Sequence, residues 1–269
     1  MFWKEYKCFK FALLSSVFLF LTACSVEEKE DVIHSQQENE KKKSLTEEEQ
    51  IIRQVESKLS ISAVEDYDIQ IKYKHIDEDT LRDALILVNR KEFAFQKAKN
   101  TNTERFFENT GHTGLYNYIF LKMGGSKELI STNPVGSNAE YPLKSEFLEL
   151  TSKAHQDFFV EYRVRNSYYR NYYTFRKNNL YLTFSCPVFD SIGEPNPRVY
   201  DIQHETSPVR LAKDIALYEG EIVDYNPKEI ENINNYEPKD IVRNGELYVF
   251  FIFNDKSMKY VTPMAAAKN

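Results

Sequence analysis

The stretch KHIDEDTLRDALILV, residues 74–88, places three carboxylates, Asp77, Asp79 and Asp83, directly before an apolar run. Oxygen ligands at alternating positions suit a calcium ion, and such loops use glycine where the chain turns sharply. Aligned in that way, the first ligand position falls on His75 and the glycine position on Thr80. Asp77, Asp79 and Asp83 are thus the candidate metal residues, with Ca2+ as the ion. The same residues also suit a polar turn, because aspartate carboxylates accept hydrogen bonds from backbone N–H groups nearby. A catalytic carboxylate is a third reading of the loop.

A second constellation lies in EYRVRNSYYRNYYTFR, residues 161–176. Strand alternation puts Tyr169, Tyr173 and Phe175 on one face and Tyr168, Arg170, Tyr172 and Arg176 on the other. An exposed row of tyrosines and arginines supplies stacking faces and hydrogen-bond donors for a sugar ring or a protein partner. These four residues are the candidate ligand-binding set. The competing reading is that tyrosine favours strands and that this face packs under another element.

Other chemistry is sparse. His34, His75, His112, His155 and His204 are far apart, and HET at 204–206 lacks the second histidine of a zinc helix. NTGHTG, residues 109–114, suits a small anion loop or a plain turn. There is no nucleophile elbow, P-loop or dinucleotide fingerprint. Triads are recognised in space, so a hydrolase in which His112, His155 or His204 meets a carboxylate and a hydroxyl stays as an alternative. Cys186, inside LTFSCPVF, reads as a buried, unreactive thiol.

The elements that must position these groups are mainly strands. Ser44 and Glu47 have capping-box spacing, and Ile51, Ile52, Val55 and Leu59 form one apolar stripe, which predicts a helix over 44–59. Ile69, Ile71 and Tyr73 alternate with polar residues in a half-buried strand, and ALILV, 84–88, reads as a central one. Residues 115–123 and 127–131 flank GGS as a hairpin, and 158–184 form a three-stranded meander turned by NS and KNN. The proline-bearing stretch 187–208 reads as a long loop, and 207–218 as a short helix or a strand. ELYVFFIF, 246–253, is apolar on both faces and turns through NDKS into MKYVTP. The expected fold is α+β, mainly an antiparallel β-sheet with an N-terminal helix and few others, forming one β-rich domain over 44–269.

Residues 25–43 are polar without apolar period, and read as a tether with a reach of roughly 25 Å. Before them stands MFWKEYKCFKFALLSSVFLFLTACS, with Lys4, Lys7 and Lys10 ahead of an apolar run too short to span a bilayer. Leu21-Thr22-Ala23-Cys24 resembles the lipobox of bacterial lipoproteins. The resemblance implies a signal peptide over 1–23 and acyl chains, palmitate among them, on Cys24, with 24–43 as the tether. Ser25 after the cysteine implies the outer membrane. The acidic cluster Glu27, Glu28, Glu30 and Asp31 is similar to surface-export signals, and equally suits a solvated charge run, so the membrane face stays open.

Loss of residues 1–23 removes three lysines and one glutamate and takes the formal net charge from −6 to −8. An acidic chain without a basic block argues against nucleic acid as a partner. The Asp loop with its following strand resembles a degenerate FG-GAP or VCBS-like unit, from which His75 and Thr80 depart. The order Asp loop, strand, hairpin and aromatic hairpin is similar to uncharacterised lipoprotein domains, and that likeness implies no activity. The expectation is a non-enzymatic, lipid-anchored envelope protein contacting another envelope protein, with a glycan-binding module as the alternative.

Overall fold

A computed structural model of the chain describes residues 45–101, 114–223 and 225–263. Helix α1, Glu47–Leu59, starts where Thr46 and Glu49 cap each other. The Thr46 hydroxyl accepts from the Glu49 N–H at 3.2 Å, and the Glu49 carboxylate accepts from the Thr46 N–H at 2.7 Å. The spacing for a capping box occurs twice here, and the second instance is used in place of Ser44 and Glu47. Ile51 and Val55 are buried against Ala84, Ile86, Val88 and Phe120, so the helix lies on a sheet.

That sheet is five-stranded and antiparallel. Strands β1 (Asp68–Lys74), β2 (Asp83–Asn89), β3 (Gly114–Lys122) and β4 (Leu129–Ser131) run side by side, and β5 (Val135–Ser137) also pairs with β3. Every residue of β2 is buried, as its continuous apolar run predicts. Ala84, Ile86 and Val88 face α1, while Leu85 and Leu87 face a second sheet. Helix α2, Lys91–Thr101, follows β2 and was not expected: it buries only Ala94 and Ala98, so no large apolar stripe betrays it.

The second sheet has eight antiparallel strands in the order β13 to β6. They are β6 (Lys144–Leu148), β7 (Asp157–Val164), β8 (Ser167–Arg176), β9 (Asn179–Asp190), β10 (Arg198–Glu205), β11 (Asp214–Ile222), β12 (Ile241–Asn254) and β13 (Lys259–Val261). The meander β7–β8–β9 is as expected. Its turns use left-handed backbone at Arg165, Lys177 and Asn178. The loop expected over 187–208 is largely strand. Pro187 is accommodated within β9 beside a register shift, where the ladder is already irregular, and Pro197 stands just ahead of β10. Residues 214–222 take the strand alternative.

Besides the contact of α1 with the first sheet, two of the core clusters position the candidate site. One joins the sheets, with Leu85, Leu87 and Ile119 against Phe158, Val160 and Tyr173. The other lies inside the eight-stranded sheet, which rolls until β13 and β12 approach β9. Phe159, Tyr172, Cys186, Leu217, Phe253 and Tyr260 meet there, and the Phe184 and Phe251 rings lie 4.4 Å apart. Lys259 donates from Nζ to the Leu182 carbonyl across the same closure.

Candidate functional site

The Asp loop is a tightly packed corner. Asp83 is fully buried, and its two oxygens accept the N–H groups of Ile76 and Gly124, each at 2.8 Å. Asp77 accepts the Asp79 N–H at 3.0 Å, and Asp79 accepts the Leu81 N–H at 2.7 Å. Partial burial raises the Asp77 carboxyl above its ordinary value despite that bond, with Asp83 and Asp79 adding repulsion. Among the described residues no group of three or more His, Cys, Asp or Glu side chains is arranged to hold a metal ion. All three carboxylates are engaged as backbone acceptors, and the β3–β4 hairpin closes on them. A Cβ at Gly124 would stand 2.4 Å from the Arg82 carbonyl oxygen, so only glycine fits there.

The tyrosine–arginine face of β8 is turned into the rolled sheet, so the expected row is not an exposed one. Tyr172 is completely buried, and its ring offers no face to a ligand. Arg170, with 17% of its side chain exposed, pairs with Glu161 on β7 at 2.7 and 2.9 Å. It also donates at 3.2 Å to the Tyr172 hydroxyl, which lies 2.9 Å from Nε2 of His204. Burial, with Arg170 and Lys213 nearby, depresses His204 to about 4, so the ring is neutral at pH 7. Tyr168 stacks on Phe189 at 5.5 Å and is half-buried. Arg176 lies apart from this network, donating to the Thr151 and Ser152 hydroxyls at 2.8 and 3.2 Å.

The histidines separate. His204 meets a hydroxyl and a guanidinium, and His75 makes a 3.1 Å contact with the Leu81 carbonyl. His155 does meet both a hydroxyl and a carboxylate, with Ser152 Oγ at 3.2 Å from Nδ1 and Glu78 at 3.5 Å from Nε2. Ser152 Oγ is also held by the Ala154 N–H and by Arg176, in the β6–β7 turn. That geometry caps a turn and leaves the hydroxyl with little freedom to attack. His112 and Cys24, the residue expected to carry acyl chains, lie outside the described residues. Cys186 is buried, and burial pushes its thiol up to about 12, which makes it inert.

Two features escape sequence reasoning. Arg163 on β7 is 3% exposed and donates to the carbonyls of Arg165, Tyr236 and Ile233, clamping the crossover 225–240 over β7–β9. Its partners are backbone atoms of a segment with no periodic signal, so nothing near it in the sequence points to them. The second is β12. Val249, Phe251 and Phe253 pack inward, but Val242, Leu247, Tyr248 and Phe250 are between 36% and 58% exposed. Tyr248 borders a concavity of about 500 Å³ that also touches Arg198, Glu219 and Asn244, and its ring lies 5.4 Å from that of Tyr200. Alternation flags the apolar residues of β12, but a run apolar on both faces does not say which face stays uncovered. Compared with known proteins, the chain matches no family model, no curated protein and no solved structure.

Proposed function

We propose that this chain is a lipid-anchored α+β protein of the outer membrane, attached through Cys24, whose rolled sheet binds another envelope protein along β12. The observation that carries the reading is the set of large apolar side chains left exposed on β12, Val242, Leu247, Tyr248 and Phe250, with Tyr248 bordering a concavity. Large apolar side chains left exposed along one strand mark an interaction face, and tyrosine and phenylalanine are enriched at the centres of such faces. No step of chemistry is assigned to the domain. Among the described residues, the buried or half-buried charge networks at Asp83, Asp157, Arg90–Glu65 and Glu161–Arg170 hold turns and strands together.

The test is site-specific photo-cross-linking in cells, with a benzophenone side chain placed at position 247 or 250 and, as control, at 153 in the exposed β6–β7 turn. Adducts to one envelope protein from 247 and 250 but not from 153, lost when Cys24→Ala frees the chain from the membrane, are expected. Equal adducts from all three positions, or none, would overturn the reading. Phe250→Asp should abolish the adduct from 247 while leaving the thermal midpoint within a few degrees, since the side chain is already partly solvated.

A further inference from the structure

Beneath the crossover that Arg163 clamps lies a cavity of about 200 Å³ between β7–β9 and Pro238. Four charged residues line it, and three of them are already matched. Glu161 is neutralised by Arg170 at 2.7 Å, and Lys144 and Glu237 face each other at 3.4 Å. Arg163 is the exception. Among the described residues its guanidinium contacts only carbonyl oxygens and the faces of Tyr141 and Phe189, at 5.9 and 5.7 Å, with no carboxylate in salt-bridge range. Three of its five N–H donors are taken by those carbonyls. Burial lowers its proton affinity, with Tyr141 and Glu237 opposing from a distance, yet an arginine keeps its charge in a protein. A desolvated cation at a cavity wall is a site for an anion, and a guanidinium presents paired donors that match a carboxylate.

The rest of the lining narrows the ligand. Val188, Phe189 and Pro238 are apolar, and Tyr168 adds a ring face. About 200 Å³ leaves room for a carboxylate together with a short apolar tail. We propose that this cavity binds a monocarboxylate with a short apolar tail, its carboxylate on Arg163 and its tail against Val188 and Phe189. A free short-chain acid and the acidic side chain of a partner share that chemistry. The site is independent of β12 and of the anchor, so it stands or falls separately from the partner reading.

Butyrate is the probe, titrated into the full chain in detergent at constant ionic strength, with chloride, butanol and butylamine as controls. Binding is read by saturation-transfer NMR on the butyrate methyl and by the thermal midpoint. A saturable signal with butyrate alone is expected, weakened severalfold in Lys144→Ala and lost in Val188→Phe, which fills the cavity while leaving the Arg163 clamp intact. Arg163→Gln should lose at least tenfold in affinity if it folds, and Val188→Phe decides the matter if it does not. No butyrate signal, an equal signal with butanol, or a signal unchanged in Val188→Phe would each overturn the proposal. If butyrate binds, a peptide ending in an acidic residue that competes for it identifies a partner side chain as the source; failure to compete identifies the free acid.

Discussion

At the scale of single residues, Asp83 and His204 make the sharpest claims. Asp83→Ala strips two buried N–H groups of their acceptor, and each orphaned donor costs about 1–3 kcal/mol. A loss of roughly 3 kcal/mol in urea denaturation is expected, against less than about 1 kcal/mol for Asp79→Ala, whose carboxylate bonds at the surface. Millimolar calcium should leave the wild-type midpoint unchanged if the carboxylates act as backbone acceptors, whereas a rise would establish a metal site. His204 links folding to pH. Its folded value of about 4 lies below the ordinary 6.5, so the unfolded chain binds this proton first as the pH falls. The penalty is absent above about pH 6.5 and grows to pH 4 by at most about 1.4 kcal/mol per pH unit. His155, also lowered by burial, adds a slope of the same sign. Denaturation midpoints measured between pH 7 and 4 should fall accordingly, and His204→Gln should flatten part of the fall.

At the scale of elements, the turn formed by Asp83, Arg82 and the β3–β4 hairpin is the least forgiving. Gly124→Ala would drive a methyl group into the Arg82 carbonyl, and a destabilisation of about 2 kcal/mol or more is expected in thermal denaturation. Thr46→Ala should lose about 1 kcal/mol by removing the cap of α1. Elements were legible where burial follows a simple period. The stripe of α1, the alternation of β1 and the unbroken apolar run of β2 all correspond to observed burial. Helix α2 was hidden because alanine buries it and Phe93 instead stacks at the surface, 4.1 Å from the Arg90 guanidinium. The extension of β9 was hidden because proline normally argues against a strand, and here a register shift absorbs it.

At the scale of the whole molecule, the sequence by itself determined that the domain is built from antiparallel strands, because alternation and turn residues are local properties. It also singled out the aspartates, whose short-range hydrogen bonds span only a few residues, with the Asp83 bond to Gly124 as the long-range exception. Only the tertiary structure decided which side of β8 meets solvent. Both faces of that strand are rich in aromatics, so period two distinguishes the faces without saying what covers each. The rolled sheet and its crossover cover the Tyr172 face, the first sheet covers the Tyr173 face, and β12 is left with large apolar side chains exposed. The sheet also sets His204 of β10 beside the Glu161–Arg170 pair of the β7–β8 hairpin through Tyr172, and the crossover leaves the Arg163 charge at a cavity wall. Burial of a polar group depends on what packs over it, and that is set by contacts between distant segments that no local pattern records.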